Sequence, residues 1–165
     1  ISMTEEDLKI IDYYNLTAHP EGGWYRRTYS SKETVNIDRG ERICGSSIYY
    51  FLGAGESSSL HSLLSDETWY FHFGASVTLH LFSEEKYSSI VLGNSWKSGE
   101  VSQFTIQGGV IFGAETTGGQ GAFLSCSVCP GYVEEDFYWA SKENLLVRFP
   151  EQRDVIEQLI RKTTS

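Results

Sequence analysis

Short runs of alternating or apolar residues, separated by glycine, serine and asparagine, follow one another from about Gly23 to Trp139. Such regular spacing of short runs is typical of an antiparallel sandwich or barrel. The clearest runs are Ser46 to Leu52, Ser59 to Leu64, Glu67 to Phe73, Val77 to Phe82, Ser88 to Leu92 and Ala122 to Val128. The sequence therefore predicts an all-β fold with its barrel at about residues 23–140.

Helices are predicted at both ends of the chain. Thr4 precedes three acidic residues, which is the pattern of an N-cap with an acidic first turn, and it predicts a helix at about residues 4–14. Pro150 starts a second helix at about residues 150–162, with Val155 and Ile156 on its apolar face. At 165 residues, the chain is most simply one domain spanning 1–165.

One histidine and one glutamate lie at positions that favour a shared pocket. Side chains alternate faces along a strand, so Ser59, His61 and Leu63 share one face. Glu67 and Trp69 share a face of the next strand. If the two strands pair as a hairpin, His61 and Glu67 converge inside the barrel. The same spacing also suits a buried histidine that is hydrogen-bonded to a carboxylate and has no further role.

The segment Gly55-x5-His61-x-Leu63-x3-Glu67-x6-Gly74 resembles the first signature of the cupin superfamily, Gly-x5-His-x-His-x3-4-Glu-x6-Gly. Three further segments resemble a small single-domain cupin branch of unknown function: His19-Pro-Glu-Gly-Gly-Trp-Tyr-Arg-Arg-Thr-Tyr29, Asp66-Glu67-x-Trp69-x-Phe71-x-x-Gly74 and Val128-x-Pro130-Gly131-x5-Phe137. Together they span nearly the whole chain in the right order. The resemblance implies an antiparallel jelly-roll β-barrel and a homodimer.

Of the four metal-ligand positions in the superfamily signatures, this sequence keeps two, His61 and Glu67. Leu63 stands in place of the second histidine, and Phe112 stands in place of the ligand in the second cupin signature. Two protein ligands rarely hold a transition metal tightly. We therefore expect no metal cofactor. The alternative is one divalent metal at His61 and Glu67, as in a degenerate metal-dependent cupin enzyme.

The Gly22-Gly23-Trp24-Tyr25-Arg26-Arg27 stretch predicts the type of ligand. Arginine suits phosphate oxygens and aromatic rings stack on bases, so we expect a nucleotide or a nucleotide sugar. In a strand, Tyr25 and Arg27 share one face, and Trp24 and Arg26 share the other. Surface ion pairs are the alternative role for the arginines. The candidate ligand-binding residues are Trp24, Tyr25, Arg26, Arg27, Ser59, His61, Glu67, Trp69, Gln103 and Phe112.

A catalytic role follows from a second resemblance. The dTDP-sugar epimerases are metal-free jelly rolls in which a pocket histidine removes a proton and a tyrosine acts as the acid, and this chain is similar in having a lone barrel histidine. On this basis His61 is the candidate base, Glu67 orients its ring, and Tyr25 or Tyr138 donates a proton. The candidate catalytic set is thus His61, Glu67 and Tyr138. The alternative is that His61 binds a ligand without catalysing a reaction.

Charge and composition exclude other classes. The net charge of −9 argues against nucleic-acid binding, which needs a basic surface. No apolar run approaches the length of a membrane span, and the acidic N-terminus is unlike a signal peptide. Three cysteines without a disulfide framework suit a reducing compartment, so a cytoplasmic protein is expected.

Overall fold

The computed structural model describes residues 3–84 and 86–162, so the predicted domain limits at 1 and 165 lie outside the described residues. Two antiparallel sheets face each other and form a jelly-roll barrel, which confirms the predicted fold class. One sheet has six strands in the order β1-β2-β5-β12-β7-β10, and the other has five in the order β13-β6-β11-β8-β9. Strands β3 and β4 form a separate hairpin. The strands are β1 (Thr17–Ala18), β2 (Trp24–Ser30), β3 (Thr34–Ile37), β4 (Gly40–Ile43), β5 (Ser46–Leu52), β6 (Ser57–Leu63), β7 (Asp66–Gly74), β8 (Val77–Phe82), β9 (Tyr87–Leu92), β10 (Gln103–Ile106), β11 (Ile111–Thr116), β12 (Ala122–Cys129) and β13 (Phe137–Trp139).

Strands β6 and β7 do not form the hairpin that was expected from the sequence. Strand β6 pairs with β11 and β13 in the five-stranded sheet, whereas β7 pairs with β12 and β10 in the six-stranded sheet. The short connection at Leu64 and Ser65 therefore carries the chain from one sheet to the other. His61 and Glu67 reach the interior from opposite walls of the barrel, and a shared pocket results from this crossing.

The N-terminal helix α1 (Glu5–Tyr13) begins as predicted. Asp7 N–H donates to Thr4 Oγ1 at 3.0 Å and Thr4 N–H donates to Asp7 Oδ2 at 3.3 Å, which completes a capping box. The helix covers the outer face of the six-stranded sheet. There Leu16, Phe51 and Phe123 form a buried cluster beneath it.

The C-terminal segment contains two helices rather than the one predicted. Helix α2 (Lys142–Arg148) is capped by Ser141, whose Oγ accepts from Asn144 N–H at 3.2 Å. A 3₁₀ turn (Pro150–Gln152) then leads into α3 (Arg153–Leu159). Both helices pack on the outer face of the five-stranded sheet through a buried cluster of Leu60, Phe82, Leu145, Phe149, Ile156 and Leu159.

The main core lies between the two sheets. It contains Tyr50, Trp69, Phe71, Phe112 and Leu124, together with smaller aliphatic side chains. This core fills one end of the barrel, and a cavity opens at the other. None of the helices in residues 3–84 and 86–162 is long and apolar enough to cross a membrane.

Candidate functional site

A cavity of about 350 Å³ opens between the two sheets at the end of the barrel where β2, β5 and β6 meet. Its polar lining includes two imidazoles and three carboxylates, those of His19, His61, Glu21, Glu67 and Glu134. Its aromatic lining is Tyr25, Tyr132, Phe137 and Trp139. Arg27 also lies on the lining, and it is an exposed residue. The cavity thus combines an acidic interior with aromatic walls and one guanidinium near solvent.

His61 is held on every side. Its side chain is 2% exposed, and Nε2 lies 2.8 Å from Oε2 of Glu21. Nδ1 lies 2.6 Å from the carbonyl oxygen of Ser59. The ring also stacks on Phe137, with centroids 5.1 Å apart, and contacts Phe112 at 4.3 Å. Both ring nitrogens therefore have a protein partner.

A tight turn brings Glu21 to His61. His19 N–H donates to Gly23 O at 2.8 Å, and Gly22 N–H donates to His19 O at 3.0 Å, so the chain reverses within five residues. Gly22 has φ +110°, and a Cβ there would lie 2.1 Å from the carbonyl oxygen of Ser57. Only glycine allows this close approach to β6. The turn is fixed further by Tyr50, whose hydroxyl donates to Gly22 O.

The buried pair has opposite pKa shifts. Burial alone would raise the pKa of Glu21, but the charge and hydrogen bond of His61 outweigh it, so the pKa of Glu21 is lowered. Burial likewise opposes protonation of His61, but Glu21 and the Ser59 carbonyl outweigh it, so the pKa of His61 is raised. The pair is therefore an imidazolium and a carboxylate near neutral pH.

Glu67 has a different protonation state. Burial and the negative charge of Glu21 raise its pKa to about 7, against the weaker opposing effects of His61 and the Trp69 hydrogen bond. Its Oε1 accepts from Trp69 Nε1 at 2.9 Å. At neutral pH, Glu21 is thus ionised, whereas Glu67 is about half protonated.

His19 completes the polar group as a neutral side chain. Its Nδ1 accepts from the backbone N–H of Glu21 at 3.2 Å, so that nitrogen has no proton to donate. Burial lowers the pKa of His19, although Glu21 acts in the opposite direction. The 3.5 Å contact between His19 Nδ1 and Glu21 Oε1 is therefore not an ion pair.

The rim of the cavity is tied to the β3–β4 hairpin. Asp136 lies between the lining residues Glu134 and Phe137. Its carboxylate accepts two hydrogen bonds from Arg42, at 2.9 and 3.0 Å, and one from Arg39 at 3.3 Å. The hydrogen bond of Arg42 leads the effects that lower the pKa of Asp136. This arrangement fixes the segment that presents Phe137 and Trp139 to the cavity.

The donor set does not fit the metal centre of the superfamily. Leu63 lines the cavity and Phe112 packs against His61, so two ligand positions present hydrocarbon. Nε2 of His61 is directed at Glu21 instead of an open site. Within residues 3–84 and 86–162, no group of three or more His, Cys, Asp or Glu side chains is arranged to hold a metal ion. The expected lack of a metal cofactor stays a prediction.

Four of the predicted site residues line the cavity: Tyr25, Arg27, His61 and Glu67. Three others support them without lining it. The Ser59 carbonyl accepts from His61, the Trp69 indole donates to Glu67, and the Phe112 ring packs on His61. Glu67 does not orient the imidazole as expected, because the partner of Nε2 is Glu21.

The other four predicted residues lie elsewhere. Trp24 and Arg26 occupy the outer face of β2, where Trp24 Nε1 donates to Glu56 Oε1 and Arg26 Nε donates to Tyr14 O. Gln103 is exposed on the edge strand β10. Tyr138 is 54% exposed, because strand alternation turns Phe137 and Trp139 inward instead. These positions correct the expectation that all four residues contact the ligand.

Five residues of the cavity lining were not predicted from the sequence: Glu21, His19, Tyr132, Phe137 and Trp139. The signal for Glu21 was present in the His19-Pro-Glu-Gly-Gly segment, where two glycines follow an acidic residue directly. A pair of glycines at a turn allows the chain to approach another strand closely. The distance of about 40 residues between Glu21 and His61 gave no sign of their contact.

Comparison with known proteins gives the family. A model described as "Cupin superfamily (DUF985)" matches residues 8–140. The chain belongs to this family. A search of curated proteins found no match. The structure of this cupin resembles a hypothetical protein from Leishmania major (29% identity, 96% of this chain and 99% of the other covered, TM-score 0.87).

Two other solved structures define how far the likeness extends. A protein from Shewanella oneidensis is 34% identical, with 99% of this chain and 100% of the other covered and a TM-score of 0.86. Oxalate decarboxylase from Bacillus subtilis is 17% identical, with 88% of this chain and 37% of the other covered and a TM-score of 0.56. The likeness to the decarboxylase shows a shared fold alone.

Proposed function

We propose that the cavity of this cupin binds a small hydroxylated ligand that carries a phosphate, such as a nucleotide or the sugar of a nucleotide sugar. The observation that supports this most is that the charged side chains of the cavity differ in exposure between its mouth and its interior. Arg27 lies near solvent, whereas His61, Glu21 and Glu67 are buried. A phosphate suits the first environment and hydroxyl groups suit the second.

Arg27 is the group best suited to a phosphate. Its Nη1 donates to Ser30 Oγ at 2.9 Å, and no other hydrogen bond of its guanidinium occurs within the described residues. The remaining donors can form the paired hydrogen bonds that a phosphate accepts. The buried Glu21 carboxylate makes the interior unfavourable for a dianion, which favours a phosphate near Arg27.

The interior suits a sugar ring. Carboxylates accept hydrogen bonds from hydroxyl groups, and Glu67 can also donate one in its protonated form. Phe137 and Trp139 offer aromatic surface at the wall. The volume of about 350 Å³ lies at the lower end of the roughly 300–1,000 Å³ found for ligand pockets. One ring fits inside, with the phosphate or the rest of a nucleotide outside.

The test is a thermal-shift and calorimetry series on metal-stripped protein. The ligands are glucose, glucose 6-phosphate, dTDP and dTDP-glucose, so that glucose 6-phosphate is compared with glucose and dTDP-glucose with dTDP. We expect a phosphorylated ligand to raise Tm. Arg27→Ala should weaken the binding of that ligand by about tenfold to a hundredfold, because hydrogen bonds to a charged group contribute about 1.5–3 kcal/mol.

Arg26→Ala is the matched control, since Arg26 lies on the opposite face of β2 and donates to Tyr14 O. It is expected to leave affinity unchanged even if it lowers Tm. A series in which no phosphorylated ligand stabilises the wild-type protein contradicts the proposal. Equal loss of affinity in both variants would mean that Arg27 is not the phosphate contact.

A further inference from the structure

We propose that the same cavity catalyses proton transfer at a carbon next to a carbonyl group, with Glu21 as the base, Glu67 as the acid and His61 as a positioning residue. This inference rests on the proposed sugar-binding function and adds an activity to it. The reaction class is epimerisation or isomerisation of a keto sugar without a metal. The following contacts carry the assignment.

His61 has no lone pair to offer a ligand. Nδ1 lies 2.6 Å from the Ser59 carbonyl, which only accepts hydrogen bonds, so Nδ1 carries a proton. Nε2 lies 2.8 Å from a carboxylate oxygen of Glu21, so a proton also lies between these two atoms. Stacking on Phe137 and contact with Phe112 prevent the ring from turning toward the cavity. His61 is therefore not the base that takes the proton from the ligand.

Glu21 has an oxygen that is available. Oε2 is bound by His61, whereas Oε1 has no hydrogen-bond donor within the described residues. The nearby His19 Nδ1 is 3.5 Å away and already accepts from the backbone N–H of Glu21. The Glu21 carboxylate lines the cavity, so its lone pairs can reach a bound ligand. The imidazolium behind it keeps it ionised.

Glu67 provides the opposite function from strand β7, which belongs to the same six-stranded sheet as the two strands that the Glu21 turn connects. Oε1 accepts from the Trp69 indole at 2.9 Å, and Oε2 has no partner within the described residues. Because the site is buried and the neighbouring Glu21 is ionised, the pKa of Glu67 is raised, and Glu67 retains its proton to a higher pH than an ordinary carboxyl group. Two carboxyl groups whose environments separate their protonation states are the usual arrangement for acid–base work.

The step balances in protons and bonds. The Glu21 carboxylate takes a proton from the carbon next to the carbonyl, and that C–H bond breaks while a C=C bond forms. The carbonyl π bond opens, and its oxygen takes the proton of Glu67, which gives an enol. For the epimer, the enol oxygen returns its proton to Glu67, water protonates the carbon from the other face, and Glu21 releases its proton to solvent. For the isomer, Glu21 delivers its proton to the former carbonyl carbon, and Glu67 takes the proton of the hydroxyl group on the carbon that Glu21 deprotonated. No oxidant, reductant or metal enters the balance.

The experiment measures deuterium uptake from D2O by proton NMR. The probes are fructose 6-phosphate and a dTDP-linked 4-keto sugar, and the protein is metal-stripped. We expect wild-type protein to exchange the hydrogen next to the carbonyl of at least one probe. Glu21→Gln should lower the exchange rate at least a hundredfold while the rise in Tm given by that probe is kept. Glu67→Gln should lower it as well.

His61→Asn has a different expected signature. Loss of the imidazolium raises the pKa of Glu21, so the acidic limb of the pH–rate profile should move to higher pH. Glu56→Gln is the matched control, because Glu56 accepts from Trp24 and Gly53 outside the cavity. It should exchange the probe at the wild-type rate.

The outcomes separate this inference from the proposed binding function. If a probe raises Tm but exchanges no faster than in buffer, the proton-transfer activity is overturned and the binding function stands. If exchange survives in Glu21→Gln but is lost in His61→Asn, the imidazole is the base and the assignment is overturned. If no probe raises Tm or exchanges, the proton-transfer activity is overturned, and the binding function is decided by the series with glucose 6-phosphate, dTDP and dTDP-glucose. Loss in Glu21→Gln with retained binding supports the assignment.

Discussion

Nε2 of His61 lies 2.8 Å from Oε2 of Glu21 inside the barrel, and the two residues come from a turn and a strand about 40 positions apart. This contact occupies the imidazole that a metal-binding cupin would direct at its metal. It also fixes an ionised carboxylate beside Glu67, whose pKa is raised by burial and, in addition, by that negative charge. Burial and this ion pair together thus set the protonation of the two carboxyl groups in the cavity.

The energetic importance of this pair can be measured directly. Removal of one partner of a buried ion pair leaves the other charge uncompensated and costs about 3–5 kcal/mol. We expect His61→Asn to approach this loss at pH 7, because Glu21 then remains buried without its imidazolium. Glu21→Gln should cost less, since His61 can become neutral. Urea unfolding of both variants gives the values.

The double variant serves as the control for this prediction. If the two side chains interact as described, His61→Asn with Glu21→Gln should cost less than the two single losses added together, by about 1 kcal/mol or more. Strict additivity would mean that the 2.8 Å contact contributes no coupling in solution. Gln is chosen for Glu21 because it keeps the volume of the turn.

The raised pKa of Glu67 should make the free energy of unfolding depend on pH in an unusual way. Its pKa is about 7 in the folded protein, against an ordinary value of 4.5. Between these values the unfolded chain has lost a proton that the folded protein keeps, so the free energy of unfolding falls as pH rises, by up to about 3 kcal/mol. The raised pKa of His61 acts in the same direction above its ordinary value of 6.5.

Glu67→Gln should flatten this decline between pH 4.5 and 7, because glutamine resembles the protonated carboxyl group and can still accept from the Trp69 indole. Chemical unfolding at several pH values compares the variant with wild type. Glu56→Gln, outside the cavity, should keep the wild-type slope. An unchanged slope in Glu67→Gln would show that Glu67 titrates as an ordinary carboxyl group.

The sequence predicted the barrel more completely than the site. Strands β5 and β8 have the predicted bounds, since alternation and flanking small residues define a strand locally. Helix α2 was not predicted, because Pro150 was interpreted as the start of the C-terminal helix, whereas α2 begins earlier, at the Ser141 cap. Each of these signals comes from neighbouring residues, so it predicts the bounds of one element and nothing about the contacts between elements.

The site depends on contacts that no local pattern contains. Parity along β2 correctly separated Tyr25 and Arg27 from Trp24 and Arg26, and only the structure shows which pair faces the cavity. The partner of His61 was assigned to Glu67 because the two are close in sequence. Glu21 occupies that position instead, because the chain changes sheet between β6 and β7 and turns tightly between His19 and Gly23.

We also propose a homodimer, as the cupin family resemblance implies. Sedimentation equilibrium at micromolar concentration should then give twice the chain mass of 18.6 kDa. Measurements with and without glucose 6-phosphate would show whether the ligand affects assembly. A mass equal to one chain under both conditions would contradict the proposal.

The turn that places Glu21 should tolerate no side chain at Gly22. Gly22 has φ +110°, and a Cβ there would lie 2.1 Å from the Ser57 carbonyl oxygen, whereas Gly118 has φ +94° with nothing within 4 Å of such a Cβ. Both Gly→Ala variants bear the cost of left-handed backbone, roughly 1–2 kcal/mol. Gly22→Ala should cost more, because the turn must also move away from β6. Thermal unfolding compares the stability of the two variants. NMR titration of the His61 ring measures its pKa, which depends on the contact with Glu21. Because displacement of Glu21 removes the charge that raises the pKa of His61, that pKa should fall in Gly22→Ala and stay unchanged in Gly118→Ala. Equal stability losses with an unchanged His61 pKa would show that the close contact with Ser57 does not position Glu21.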